Sequence, residues 1–321
     1  MAARHADDAV ANDRTTLTHL LGVRQLLKAC GYPSALRFPH QSRTLNGALV
    51  TFSGTTLRWA RDRGLLEADI VDLRAVDSDD GAVANASSAP VLVLLPGLDG
   101  TGILFRQFVE TIGASLDTQI VSYPADRPLG YAELEALVRN AVPRDRRFVV
   151  LGESFSGPVA IRLGAQGPRA KPPLGMVGLI LCVTFAKNPY PLFGWVRALA
   201  SSLPVHALPG WVRAPFLGGA ATTERARLER DLATAVVRQK VLQHRVSSVL
   251  HVDDTDLLAR IQMPTLVLQA SNDRVVPVKA TEHIMRTLPA AELVKIHGPH
   301  MLLQIRSAEC ATAVARFMHG L

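Results

Sequence analysis

The sequence predicts an α/β protein with a doubly wound, mostly parallel sheet and an inserted helical cap. From residue 89 onward, short apolar runs alternate with segments in which apolar residues recur at helical spacing. Apolar runs of this length are typical of parallel strands that helices cover on both faces. The alternation stops over residues 187–261 and resumes afterwards, so we expect one core, 89–186 and 262–321, interrupted by an insertion.

The core contains six predicted strands with helices between them. The strands are Val91–Leu95, Gln119–Tyr123, Phe148–Leu151, Val177–Val183, Thr265–Gln269 and Glu292–Ile296. The helices cover residues 103–116, 131–142, the segment from the turn at Ser154 to about residue 166, 279–288 and 307–318. Right-handed crossovers between parallel strands then produce a sheet that is wound in both directions.

The insertion over residues 187–261 has no evident strand and two helical parts of different character. Residues 191–209 are strongly apolar, whereas residues 223–246 are rich in arginine and have one polar face. A single covering helix does not need a connection of about 75 residues. We therefore predict a helical cap, with ordinary covering helices as the alternative.

Residues 1–88 are predicted to be an N-terminal extension. They hold one helical pattern, Thr18–Lys28, and two weak strand-like pieces, Leu49–Phe52 and Ile70–Leu73. The first residues include acidic side chains and no apolar stretch, which argues against a secretory signal. No uninterrupted apolar run reaches the roughly 20 residues of a membrane helix, so we expect a cytoplasmic protein without an integral membrane segment.

The composition excludes several classes of partner and site. The net charge of +7 comes from arginines spread along the chain, so we expect no nucleic-acid partner. Cys30, Cys182 and Cys310 are widely spaced and form no C-x-x-C pair, which argues against a disulfide framework or a zinc site. Cys182 lies inside an apolar run and is interpreted as a small buried hydrophobic residue.

A sharp turn between a strand and a helix carries the candidate nucleophile. The third predicted strand is followed at once by Gly152-Glu153-Ser154-Phe155-Ser156-Gly157. A serine at the tip of such a turn has a strained backbone and an exposed hydroxyl, and its small neighbours let strand and helix approach each other. Ser154 is therefore the candidate nucleophile, although the pattern by itself suits an ordinary strand-to-helix turn equally well.

Two loops later in the chain hold candidate partners for Ser154. A serine becomes a good nucleophile only when a base takes its proton and a third group orients that base. In a doubly wound sheet such groups belong to loops at the carboxyl ends of the strands. Asp273 follows the fifth predicted strand and His300 follows the sixth. We predict His300 as the base and Asp273 as the acid, with His297 as the competing base.

The run of residues 152–157 resembles the G-x-S-x-G nucleophile elbow of the α/β-hydrolase family. Ser156 stands in the place of the second glycine of that pattern. The order Ser154, Asp273, His300 is also the order in which this family places its nucleophile, acid and base. The resemblance covers residues 90–321 and implies the α/β-hydrolase fold for that part of the chain.

The same resemblance implies an oxyanion hole, the pair of N–H groups that binds the negative oxygen of the reacting carbonyl. Its donors would be the backbone N–H groups of Leu98, in the glycine-rich loop after the first strand, and of Phe155. The alternative for this loop is a dinucleotide pyrophosphate site. The spacing of Gly97, Gly100 and Gly102 is not the G-x-G-x-x-G of such sites, so we expect no dinucleotide.

The run His251-Val252-Asp253-Asp254-Thr255-Asp256 is a weaker candidate, for metal ligation. A helix start capped by Asp254 or Thr255 accounts for these residues better. We therefore predict no metal and no cofactor.

The resemblance implies a serine hydrolase that cleaves carboxylic esters through an acyl-enzyme. Its partner would be a small-molecule acyl ester or thioester. A thioesterase or an acyltransferase would use the same residues and stays an alternative. A non-catalytic protein that binds a small ligand on the same fold is the alternative of another class.

Overall fold

The computed structural model describes residues 89–167, 171–191 and 224–321. The predicted N-terminal extension, 1–88, with its helix and opening strands, lies outside these ranges. Residues 192–223, which hold nearly all of the apolar part of the predicted cap, also lie outside them.

The described core is a six-stranded sheet in which every pair of neighbouring strands is parallel. The strands are β1 Val91–Leu95, β2 Thr118–Ile120, β3 Phe148–Glu153, β4 Met176–Cys182, β5 Thr265–Ala270 and β6 Glu292–Ile296. Their order is β2-β1-β3-β4-β5-β6, which confirms the predicted doubly wound sheet. The chain reverses its direction of winding between β1 and β3, and ligands of open α/β sheets bind at such a point.

Nine α-helices accompany these strands within the described ranges. They are α1 Arg106–Ile112, α2 Tyr131–Ala141, α3 Gly157–Gly164, α4 Glu224–Ala235, α5 Gln239–His251, α6 Thr255–Leu258, α7 Val278–Thr287, α8 Leu302–Ile305 and α9 Ser307–His319. The helix predicted over residues 103–116 is shorter than expected, because 3-10 turns at 103–105 and 113–115 flank α1. Gly113, with φ +58°, ends α1 in a conformation that favours glycine.

Side chains of each strand alternate between two buried layers, since a strand has a period of two residues. In β1, Val91, Val93 and Leu95 belong to one apolar cluster, whereas Leu92 and Leu94 belong to the other. Helices α2 and α3 cover the first layer and α1 and α9 cover the second; the contacting side chains include Leu134, Val138, Val159, Ile161, Phe108, Ile112, Val314 and Phe317. Cys182 lies in the second layer and is fully buried, as predicted.

The arginine-rich helix predicted over residues 223–246 is two helices, α4 and α5. The helical hydrogen bonding stops at Arg238, whose extended backbone donates its N–H to the carbonyl of Ala125 at 2.9 Å. At this break and just beyond it, Val237, Val241 and Leu242 form a small buried cluster of their own. The chain therefore turns at residues 236–238 because a tertiary hydrogen bond and local burial replace one turn of helix.

The two ends of the insertion meet. Lys187 pairs with Asp253 in an antiparallel bridge, and the N–H of Asp254 donates to the carbonyl of Ala186 at 2.8 Å. Helix α6 begins at Thr255, but its start is capped differently from the prediction: the N–H of Thr255 donates to the carboxylate of Asp253 at 3.1 Å. Asp254 instead forms a two-point ion pair with Arg162 of α3, both contacts being 2.8 Å.

The described residues bear on two predicted absences. They contain no group of three or more His, Cys, Asp or Glu side chains arranged to hold a metal ion. In the same residues, no helix has both the length and the apolar character needed to cross a membrane.

Candidate active site

Ser154 stands at the sharp turn between β3 and α3. Its φ is +49°, in the left-handed region that residues other than glycine seldom adopt. Gly152 allows the close crossing of strand and helix, since a Cβ there would lie 2.7 Å from the carbonyl oxygen of Ser156 and 2.8 Å from the Cβ of Ala160. The turn therefore holds the Ser154 hydroxyl at the carboxyl end of the central strands.

The loops after β5 and β6 bring Asp273 and His300 to this hydroxyl. The Oγ of Ser154 lies 2.9 Å from Nε2 of His300, and Nδ1 of His300 lies 2.8 Å from Oδ2 of Asp273. A carboxylate can only accept, so Nδ1 carries the ring proton and Nε2 is free to accept the proton of Ser154. This is the hydrogen-bonding order that a serine nucleophile and its general base require.

Asp273 is fixed by its own backbone neighbours. Its Oδ1 accepts the N–H groups of Val275 and Val276, each at 2.8 Å, which leaves Oδ2 to face His300. The side chains of His300 and Asp273 are only 8% and 7% exposed. His297, in contrast, is exposed, and its Nδ1 lies 3.1 Å from the hydroxyl of Ser271. The structure thus brings His300, and not His297, to Ser154.

Leu98 and Phe155 lie on the two segments that flank Ser154. The loop after β1 approaches Ser154 closely, because a Cβ on Gly97 would be 4.0 Å from the Cβ of Ser154. Residues 97–100 form a turn closed by the N–H of Gly100 and the carbonyl of Gly97 at 3.0 Å, which does not use the N–H of Leu98. Within the described part of the chain, no acceptor is found for the N–H of Leu98 or of Phe155.

Ser156 joins the elbow to the same loop. Its side chain is fully buried, and its hydroxyl donates to the carbonyl of Pro96. The hydroxyl of Tyr123 lies 2.6 Å from the hydroxyl oxygen of Ser156. Because the single proton of Ser156 goes to Pro96, Tyr123 is the donor in this second hydrogen bond. The serine that replaces the second glycine of the pattern thus makes a specific connection between the elbow and the loop after β1.

Glu153 is a site residue that the sequence reasoning missed. The carboxyl lies directly before Ser154 and is 5% exposed, and its Oε1 accepts the side-chain amide of Gln304 at 3.0 Å. Burial raises the pKa of Glu153 to about 7, and the nearby Asp99 raises it further. The Gln304 hydrogen bond, the electrostatic interaction with His300 and the N–H of Gly97 oppose this rise. A glutamate between an apolar strand and a serine was the available signal in the sequence.

Comparisons with solved structures show the fold. The chain is similar to an enol-lactonase from Burkholderia xenovorans LB400, with a TM-score of 0.60, 17% identity, and coverage of 74% of this chain and 94% of that one. It is also similar to a hydrolase from Pseudomonas aeruginosa PA01, with a TM-score of 0.59, 21% identity, and coverage of 74% and 92%. The described core therefore has the α/β-hydrolase fold, as predicted.

Comparisons of sequence place the chain in a family. It is 23% identical over 264 residues to the polyketide synthase ThaQ from Burkholderia thailandensis, and this match covers 73% of the chain. The chain spans 12% of the length of that much larger relative. The family described as serine aminopeptidase, S33 (Hydrolase_4) matches residues 131–302, more than half of the chain. With its elbow, strands β3 to β6 and the loops that hold Asp273 and His300 inside that match, the chain belongs to the S33 serine aminopeptidase (Hydrolase_4) family of the α/β-hydrolase superfamily.

Proposed function

We propose that this protein is a serine hydrolase that cleaves carboxylic esters through a covalent acyl-enzyme. The observation that carries the proposal is the continuous hydrogen-bonded series from Ser154 through His300 to Asp273, with distances of 2.9 and 2.8 Å. Ester cleavage needs a nucleophile, a base and oxyanion donors, and all three meet at the carboxyl ends of β1, β3, β5 and β6.

In the first half of the proposed reaction, Nε2 of His300 takes the proton of Ser154 as its oxygen attacks the acyl carbon. The buried carboxylate of Asp273 stabilises the imidazolium that forms. The N–H groups of Leu98 and Phe155 donate hydrogen bonds to the oxyanion and thereby stabilise the transition state for acyl transfer. His300 then gives its proton to the departing alcohol, and the acyl group remains on Ser154.

In the second half, His300 takes a proton from water, which attacks the acyl carbon of the ester on Ser154. The same two N–H groups hold the second oxyanion. The proton returns from His300 to Ser154 as the carboxylic acid leaves. Apart from the substrate and water, every step uses groups of the chain itself, so the proposed mechanism requires no cofactor.

The insertion at residues 187–261 is proposed to be a helical cap over this site. Its ends are joined by the bridge between Lys187 and Asp253, so the chain leaves the core and returns to it at one place. Its described helices are α4, α5 and α6. A segment of this kind would control whether water or another acceptor reaches the acyl-enzyme.

Hydrolysis of an acyl thioester is the second candidate function. It would use the same three side chains, and the similarity to a segment of a polyketide synthase favours it, since polyketides are built from acyl units. An acyltransferase would differ only in the acceptor that attacks the acyl-enzyme.

The proposal is tested by labelling with a fluorophosphonate probe, with peptide mass spectrometry to locate the label. We expect the label on Ser154 in the native chain and in His297→Ala, and no label in Ser154→Ala or His300→Ala. Turnover of matched oxygen and sulfur esters of the same acyl group, such as p-nitrophenyl and N-acetylcysteamine butyrate, then separates an esterase from a thioesterase. An unlabelled native chain that binds ligands without turning them over would support a binding protein instead and overturn the proposal.

A further inference from the structure

The loop from Pro96 to Thr101 is held by a hydrogen bond at each of its carbonyl oxygens. The donors, in chain order of the carbonyls, are the Ser156 hydroxyl, the N–H of Gly100, the guanidinium of Arg245 for both Leu98 and Asp99, the N–H of Tyr123, and the Ser122 hydroxyl. Six consecutive carbonyls fixed in this way leave the loop little freedom to rotate its peptide units. Such preorganisation is what an oxyanion hole needs.

Arg245 makes two of these hydrogen bonds from outside the core. It lies on α5, in the insertion, and is 1% exposed. Its Nη1 donates to the carbonyls of Leu98 at 2.9 Å and Asp99 at 2.5 Å, and its Nη2 donates to Pro124 at 3.0 Å. The guanidinium carbon also lies 5.7 Å from the centre of the Tyr123 ring. A buried cation is costly, and these carbonyls and the ring face offset the cost.

The loop is shaped to receive this guanidinium. Gly100 has a φ of +70°, and a Cβ there would lie 2.4 Å from Nη1 and 2.7 Å from Cζ of Arg245. A side chain at residue 100 would therefore both strain the turn and displace the cation. The close approach of the turn and the guanidinium depends on both residues.

Leu98 is the residue through which Arg245 can affect chemistry. Its carbonyl is held by Arg245, while its own N–H has no acceptor within the described ranges and is the proposed oxyanion donor. One residue thus carries both the anchored group and the proposed catalytic group. Fixing the carbonyl of Leu98 and that of the next residue limits rotation of the whole turn, and with it the direction of the Leu98 N–H.

We propose that Arg245 is a positioning residue. It joins helix α5 to the loop from Pro96 to Thr101 and holds the Leu98 N–H in the direction in which it donates to the oxyanion. Arg245 touches no reacting atom. The inference rests on the proposed function, because it assigns a role in stabilising the tetrahedral intermediate of that reaction. It also makes the geometry of the oxyanion hole depend on the position of α5.

The test compares Arg245→Met and Arg245→Lys with Arg162→Met. Arg162 is a matched control, since it ties α3 to the end of the insertion through Asp254 and does not contact the loop. The readouts are kcat and KM for p-nitrophenyl butyrate, and the inhibition constant of butylboronic acid, whose adduct with Ser154 is tetrahedral. Folding of each variant is checked by denaturant unfolding.

For Arg245→Met we expect kcat to decrease about 10- to 100-fold, since loss of a whole oxyanion donor costs about 100- to 1,000-fold. KM should change by less than about threefold, and the inhibition constant should rise in proportion to the loss in kcat. Arg245→Lys, which keeps the charge but donates through one nitrogen, should be intermediate. Arg162→Met should lower the unfolding midpoint and leave the ratio of the inhibition constant to KM unchanged.

Two results overturn the inference in distinguishable ways. An unchanged ratio of inhibition constant to KM in folded Arg245→Lys and Arg245→Met, with native turnover intact, would make Arg245 purely structural and leave the proposed function standing. Absence of ester and thioester turnover and of Ser154 labelling in the native chain would overturn the proposed function, and the inference with it.

Discussion

The hydroxyl of Tyr123 lies 2.6 Å from the hydroxyl of Ser156, and both side chains are buried. Tyr123 follows β2, Ser156 belongs to the elbow, and the carbonyl of Pro96 accepts the proton of Ser156. The chain reverses its direction of winding between β1 and β3. These hydrogen bonds connect the segments after β1, β2 and β3 at that point. This connection sets the distance between the elbow and the loop after β1.

Ser156→Ala should lower the free energy of unfolding by about 2 to 4 kcal/mol, because it leaves both the Tyr123 hydroxyl and the Pro96 carbonyl buried without a partner. Tyr123→Phe should cost about 1 kcal/mol, and the double variant should be more stable than the sum of the two losses implies. Denaturant unfolding of the four proteins measures this coupling.

Tyr131→Phe is the control for that cycle. The Tyr131 hydroxyl is also buried but has no hydrogen-bond partner in the described part of the chain, so its removal should be neutral or stabilising. Losses that add within about 0.5 kcal/mol in the cycle would show that Tyr123 and Ser156 act independently.

Asp273→Asn is expected to lower kcat about 10,000-fold while leaving the fold intact. The Asn oxygen can still accept the N–H groups of Val275 and Val276, which places the amide nitrogen opposite Nδ1 of His300. An amide donates there, so the ring moves its proton to Nε2 and can no longer accept from Ser154. Ester turnover with denaturant unfolding measures both effects. His297→Ala is the control, and a comparable loss of kcat in that variant would contradict the assignment of the base.

Much of the core was predictable because it depends on local patterns. Strands β1 and β6 have the predicted bounds, and the other strands differ from the prediction by a few residues at their ends. Apolar runs and helical spacing are properties of residues that are close in the sequence. The strands and helices that depend on them therefore form where the sequence predicts them. The break between α4 and α5 was not predictable in this way, because it depends on the bond from Arg238 to Ala125, which are more than a hundred positions apart.

The candidate site likewise contains residues that local patterns predict and one that they do not. Ser154, Asp273 and His300 could be selected because each follows a strand at the same edge of the sheet, and that edge is implied by topology. Arg245 could not be selected, since an arginine on an amphipathic segment has the pattern of a solvated face. Its burial results from the packing of α5 against a loop 146 positions earlier in the chain.

Gly157→Ala is predicted to destabilise the elbow by about 1 to 3 kcal/mol and to lower kcat. A Cβ at residue 157 would lie 1.9 Å from Oγ1 of Thr184, and that hydroxyl donates to the backbone carbonyl of Ser154. Moving Thr184 therefore removes a hydrogen bond from the backbone carbonyl of Ser154 itself. Denaturant unfolding and ester turnover measure the two consequences.

Gly164→Ala tests the same helix without the collision. A Cβ there would meet its nearest neighbours at 3.6 to 3.7 Å, which is ordinary contact, so alanine should stabilise α3 by up to about 1 kcal/mol. Equal destabilisation of the two variants would show that helix propensity, and not Thr184, decides the effect.

Glu153→Gln should make the protein more stable at neutral and alkaline pH. Burial raises the pKa of Glu153 from an ordinary 4.5 to about 7, so between these values the unfolded chain loses its proton before the folded chain does. Native stability must then decrease as the pH rises through this window, by about 3 kcal/mol in total. Glutamine carries no charge, and the Gln304 amide, whose Oε1 has no partner among the described residues, can turn to accept from it.

The difference in unfolding free energy between Glu153→Gln and the native chain should therefore be near zero at about pH 4 and reach about 3 kcal/mol at about pH 8. Denaturant unfolding across this range measures it. Glu282→Gln, at an exposed glutamate, is the control and should give a flat difference. A flat difference for Glu153→Gln as well would mean that the Glu153 carboxyl has the same pKa in the folded and in the unfolded chain. The hydrogen bonds from Gln304 and Gly97 would then offset the effect of burial, and the carboxyl would be ionised beside Ser154 and His300 at neutral pH.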